Sequence, residues 1–215
     1  MTLVAGSDAC RGGWVAILLD RGAFAGALFA DTFGRFLEEV PEAAAIGVDI
    51  PIGLPESGLR AGDIAARSFV GPRHSSVFAT PPRVAVTASS YAEARQLVPS
   101  LSAQSFALGR KILEVEHQLE ERVIEVHPEV SFAALAGGHL RHSKRTWNGQ
   151  MERRRLLAGA GIELPDELAS GPAAADDVLD AAAVAWSANR YAHGEAAPLP
   201  SEPPLHSGRP IAIWY

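Results

Sequence analysis

The first fifty residues constrain the fold most. LVAGSDA (3–9), GWVAILLD (13–20) and AFAGALFA (23–30) are three apolar, strand-like segments joined by connections of only a few residues. Connections that short allow an antiparallel meander and exclude crossovers. A helix follows, capped by Asp31 or Thr32, with Phe33, Phe36, Leu37 and Val40 at i, i+3, i+4 and i+7 on one face. After Pro41, residues 43–50 (AAAIGVDI) form a near-continuous apolar run, as in a strand covered on both faces. Strand, helix, strand in that order predicts a parallel crossover that places the fourth strand beside the first. Asp8 ends the first strand and Asp49 the fourth, so two carboxylates meet at the carboxyl edge where open α/β sheets bind ligands.

Asp49 stands in IGVDIPIGLP, an apolar stretch where an ionised, unpaired carboxylate is expensive. Such a group shifts its pKa, finds a partner or holds a cation. Further acids occupy similar positions: Glu125 in RVIEVHPE, and Asp177 and Asp180 at the start of the Ala-rich DDVLDAAAVAW. The i, i+3 spacing of the last two sets both on one helix face. Each acid also has a plainer reading. Asp49 reads as a turn or cap residue, Asp8 as a loop acid, Glu125 as solvent-facing or paired with an arginine, and Asp177 as a helix-start acid favoured by the dipole. Taken together they describe a site for an all-oxygen divalent cation, Mg²⁺ or Mn²⁺. Two such ions about 3.5 to 4 Å apart activate a water and stabilise a leaving oxygen in phosphodiester cleavage.

The remaining chain reads as one domain, residues 1–215, with a polar, Gly- and Pro-containing excursion over 56–90 and a Pro-rich tail over 196–215 that wraps the surface. Ser90 and Glu93 have capping-box spacing before a short helix. Leu108, Ile112, Val115 and Leu119 stripe a helix within 102–120. A fifth strand spans 122–127, helices follow from Pro128 and over GQMERRRLLAGAG, and a long helix covers 176–192. Trp14 and Trp186 read as core. Trp147 reads as packing, or with Arg145 as a platform for a base. Cys10 reads as a small buried or half-buried residue and not a nucleophile. Between His139 and Arg155, six cations stand against Glu152 alone. Arg67, Arg73 and Lys144 are candidate phosphate clamps; His127 is a candidate substrate-site residue, as a general base or orienting a nucleophilic water, or else a strand-end histidine in a local hydrogen bond.

GSDACRGGW, VDIPIGLP, IEVHPEVSF and DDVLDAAAVAW, in that order over about residues 3–192, resemble the successive motifs of the domain of unknown function 429 family, predicted RNase H-like nucleases. The resemblance implies an RNase H-like mixed sheet in the order 3-2-1-4-5, strands 1–3 antiparallel, flanked by helices. It implies a metal site of Asp8, Asp49, Asp177 and Asp180, with Glu125 as a fifth catalytic acid.

Net charge is −6, which argues against a general nucleic-acid coat, while acid elsewhere and base on short stretches suit a site that holds a phosphate-bearing ligand locally, a small or structured nucleic acid or another phosphorylated substrate. No basic group occurs in the first ten residues and the single Cys10 allows no internal disulfide, so a cytoplasmic, non-membrane protein is expected. Two other functions compete. One is a non-catalytic binding or regulatory module that keeps the fold. The other is a nucleotide-handling protein of the actin and sugar-kinase type, for which the chain lacks a second Gly-rich phosphate loop.

Overall fold

A computed structural model describes residues 2–206 and 208–215. The first three strands are β1 (Leu3–Cys10), β2 (Gly13–Asp20) and β3 (Ala23–Ala30). Arg21 (φ 51°) and Gly22 (φ 81°) form the two-residue turn between β2 and β3, with both residues left-handed as such hairpins require. Thr32, not Asp31, caps α1 (Phe33–Glu39) through the Arg35 N–H. β4 (Ala45–Val48) then pairs with β1 in parallel, with Ser7 opposite Val48. β5 (Val123–Glu125) pairs with β4 in parallel and completes a sheet in the order β3-β2-β1-β4-β5. This is the expected strand order, with helices on both faces.

The helices are α2 (Ala61–Val70), α3 (Arg83–Val86), α4 (Tyr91–Leu97), α5 (Ala103–His117), α6 (Pro128–Ala136), α7 (Trp147–Gly159) and α8 (Ala175–Ala192). One core layer joins Trp14, Ala16, Ile46 and Val48 of the sheet to Phe33 and Phe36 of α1 and Ile112 and Val115 of α5. The other joins Val4, Val15, Ile17 and Leu19 to α2, α6, α7 and α8. Strand alternation separates the two layers residue by residue.

The expected long irregular excursion is instead largely helical. α2 is followed by a 3-10 segment, Gly71–Ser76, and then α3. The buried face of α2 is Gly62, Asp63, Ala66 and Val70, so a carboxylate and a glycine interrupt the apolar period and hide the helix. The capping box before α4 is half present. Ser90 Oγ accepts from Glu93 N–H (3.2 Å), but the Glu93 carboxylate turns to Ser89 N–H (2.8 Å). Trp14 is core, Trp186 is only half-buried, and Trp147 is 73% exposed rather than packed. In the tail, β6 (Pro198–Leu199) pairs with β9 (Ile213–Trp214), and β7 (Leu205–His206) with β8 (Arg209–Pro210). Trp214 also bridges Val126, so the tail lies along the outer side of β5.

α8 sets the geometry. Ala181, Ala182, Ala183, Ala185 and Ala188 are fully buried, and the helix lies directly on β1, β2 and β4. A Cβ on Gly6 would stand 1.9 Å from the Ala185 nitrogen and 2.4 Å from the Ala181 carbonyl oxygen. Gly6→Ala must therefore push the helix off the sheet. It should lower stability by about 3 kcal/mol or more in urea denaturation, at the upper end for overpacking. Gly159→Ala, at the exposed end of α7 with nothing within 4 Å, should be neutral or gain up to about 1 kcal/mol. Similar losses in the two variants would refute the close-approach account.

Candidate metal centre

The register of the sheet brings the acids together. Asp8 follows Ser7, which lies opposite Val48, and Asp49 N–H donates to Ser7 carbonyl (3.1 Å). Asp8 has the parity of Val4 and Gly6, and Asp49 that of Ala45 and Gly47, so both face α8. Because Gly6 abuts Ala181 and Ala185, the preceding turn of α8 carries Asp177 and Asp180 over the same strand ends. All four acids line one cavity of about 570 Å³. Asp8 (7% exposed) and Asp180 (2%) are buried, Asp49 is half-buried, and Asp177 is at the mouth with its Oδ2 accepting from Ala174 N–H (3.0 Å).

Among the described residues one cation ion-pairs directly with this cluster. Lys144, on the segment between α6 and α7, reaches in and ion-pairs through Nζ with Asp180 Oδ2. Burial, and then Asp49 and Asp180, hold the Asp8 carboxyl well above the usual carboxylate range, against the pull of Lys144. Burial raises Asp49 to about 7, Lys144 opposing. Burial raises Asp180 to about 6, again against Lys144. Asp177 is raised by burial, opposed by its cap bond to Ala174. Burial alone would depress the Lys144 ammonium, but Asp180, Asp49 and Asp8 together push it upward. Asp180 Oδ1 is buried and has no hydrogen-bond partner among the described residues.

The other acids of the cavity are matched. Val48 is opposite Glu125 in the register, so Glu125 has the parity that points away from α8. It takes the arginine-paired alternative. Arg60 Nη1 and Nη2 donate to its two oxygens (2.8 and 2.6 Å), and Ile52 N–H adds a third bond (2.6 Å). Arg60 also grips Asp63 (2.7 Å), which accepts from Thr80 N–H (2.8 Å). In a second network Glu129 accepts from the fully buried Arg153 (2.6 Å), which also lies over Phe132. Arg73 stands 3.9 Å from Glu129 and lines the cavity. His127 lines it too, but its Nδ1 accepts from Glu129 N–H (3.2 Å) to cap α6, and burial lowers its pKa. Arg67 is not among the lining residues; its Nε donates to Val77 carbonyl (2.9 Å).

Arg60 and Asp63 are absent from the residues the sequence singles out, while Glu129 reads there only as a first-turn helix acid and Arg153 only as one of the basic run. Only Arg153 had a readable signal: Gly149, Arg153 and Leu157 are four apart, and they are the buried residues of α7. The basic stretch is thereby divided. Arg153 is internal, Arg154 pairs with Asp166 (2.9 Å), and Lys144 and Arg145 face the cavity. Among the described residues no three His, Cys, Asp or Glu side chains form a ready-made metal cage. The donor set nevertheless fits Mg²⁺ or Mn²⁺: it is oxygen-only, under-neutralised, and includes one buried carboxylate oxygen without a partner.

Fold and site together define an α/β protein with an acidic cleft at the carboxyl ends of a mixed sheet, closed by a helix. The chain belongs to the family described as protein of unknown function (DUF429), whose model matches residues 6–205. No curated protein and no solved structure matches it. Among the described residues no helix is long and apolar enough to cross a membrane.

Two outcomes are expected. A carboxyl raised from 3.8 to about 7 binds its proton more tightly in the folded chain. Its stabilisation is whole below about pH 4 and is lost as pH rises through about 7. Asp49→Asn removes that loss, so in chelator its Tm should gain on the wild type by about 5 °C between pH 5 and 8. Parallel Tm curves would show that Asp49 holds no proton. Glu125→Gln should instead cost about 3 kcal/mol in urea denaturation by unmatching Arg60, with Mn²⁺ affinity close to wild type. A stable variant that has lost Mn²⁺ binding would move Glu125 into the metal site.

Proposed function

We propose that the chain is a divalent-metal-dependent phosphodiester hydrolase, a nuclease for a small or structured nucleic acid, using Mg²⁺ or Mn²⁺. The observation that carries this reading is the unpartnered, buried Asp180 Oδ1 in a cluster where Asp8, Asp49 and Asp180 share one lysine. When bound, the ion supplies Lewis-acid polarisation of a phosphoryl oxygen and lowers the pKa of a water.

The chain's own groups do the rest. Asp8 and Asp49 are fixed by strand pairing and Asp180 by the packing of α8, so the oxygens are oriented before substrate arrives. Asp177 holds the first turn of α8 in place through Ala174. Arg73, Lys144 and Arg145 put positive charge on the wall for phosphate oxygens. Phe78, 44% exposed on the cavity wall, offers a face to a base or sugar. A cavity of about 570 Å³ suits a nucleotide-sized unit and not the side of a long duplex.

Wild-type protein with Mn²⁺ should cleave bis-p-nitrophenyl phosphate or members of a panel of short single-stranded and hairpin DNA and RNA. Chelator should abolish cleavage. Asp8→Asn, checked for an unchanged circular dichroism spectrum, should lose more than about 100-fold, since even partners of a metal ligand cost about 10- to 100-fold. Full activity in Asp8→Asn would end the proposal. A protein that binds Mn²⁺ and cleaves nothing in the panel is a metal-dependent binding module instead.

A further inference from the structure

We propose that Lys144 is the second cation of the site: the carboxylates hold one divalent ion, and the Lys144 ammonium stands where a second ion would otherwise be needed. This rests on the metal-dependent reading above and specifies it. The two oxygens of Asp180 are already divided. Oδ2 pairs with Lys144, while Oδ1 is buried and has no partner among the described residues, on a side chain that lines the cavity with Asp8 and Asp49. One carboxylate thus offers one oxygen to an ammonium and one to a metal.

Charge makes the same point. Asp177 commits Oδ2 to the α8 cap and lies at the mouth, which leaves Asp8, Asp49 and Asp180 as the inner set. Three ionised carboxylates against one ammonium leave a deficit of two, which a single divalent ion neutralises. A second divalent ion would put the inner set in excess of positive charge beside a lysine that has nowhere better to go. The remaining acids of the cavity give it no alternative partner: Glu125 and Asp63 are bound by Arg60, and Glu129 by Arg153.

Lys144 is also placed to stay. Its side chain, 37% exposed, extends from a segment fastened on the other side: Thr146 caps α7 by accepting from Gly149 N–H (3.1 Å), and its hydroxyl donates to Ser143 carbonyl (2.8 Å). A Cβ on Gly149 would lie 1.9 Å from that same Ser143 oxygen, so α7 presses the segment against the site. Lys144 acts here as a positioning cation that fixes Asp180 and limits ion number.

The test is Mn²⁺ stoichiometry by calorimetry, with electron paramagnetic resonance to detect Mn–Mn coupling, on full-length wild type, Lys144→Arg and Lys144→Met. The expected result is one uncoupled ion in the wild type and in Lys144→Arg, and a second, coupled ion in Lys144→Met. If Lys144→Met fails to fold by circular dichroism, wild type and Lys144→Arg decide, since each must take one ion. Two ions in the wild type would overturn this inference and leave the metal-dependent reading intact. One ion of unchanged affinity in folded Lys144→Met would also overturn it. No ion in any of the three would overturn both.

Discussion

The contact between α8 and β1 is the one on which the rest depends. A helix of alanines meets a strand at Gly6 with no side chain between, so helix backbone and strand backbone touch. Any larger residue there would lift the helix by ångströms, and Asp180 would no longer reach the ends of β1 and β4. Gly47 repeats the device on β4, where a Cβ would meet Val184 Cγ1 at 2.7 Å. Small residues that look like weak core-formers are therefore what place the acids.

The cleft then sorts its charges into matched and unmatched sets. Arg60 with Glu125 and Asp63, and Arg153 with Glu129, are buried networks made of short bonds. Leaving any such charge single would be strongly unfavourable, so these groups fasten α2 to β5 and α6 to α7. The set at the strand ends is different: three inner carboxylates face one lysine, and burial, which that lysine only partly offsets, makes them hold their protons more tightly. The same cavity thus contains rigid walls and one patch with a standing demand for positive charge.

Much of this was legible before folding. Short connections between the first three strands dictated the meander, and the strand-helix-strand order that follows brought Asp8 beside Asp49. The Asp177–Asp180 spacing put two more acids on one face of the last long helix. What stayed hidden had physical causes. α2 buries Asp63 and Gly62, which breaks the apolar period by which helices are recognised. Glu125 looks like its neighbours in sequence, yet alternation in a three-residue strand turns it to Arg60, a residue 65 positions away. Lys144 sits in a run of cations in which nothing local distinguishes the one that enters the cleft from those that meet solvent. Trp147 is exposed at the first turn of α7 although its size suggested packing.

The position of α8 in the chain has a kinetic consequence. Its apolar face is the lid over β1, β2 and β4, yet it is the last long element of the order. During synthesis the sheet can pair its first three strands early, because those contacts are local, but one face stays uncovered until residues near 190 leave the ribosome. Until α8 emerges, Val4, Val15, Ile17 and Leu19 lack the helix that lies directly on their strands in the folded core. Chaperone demand should therefore fall abruptly with the arrival of α8, and the acidic cluster, completed by that same helix, comes into being in the step that buries the sheet.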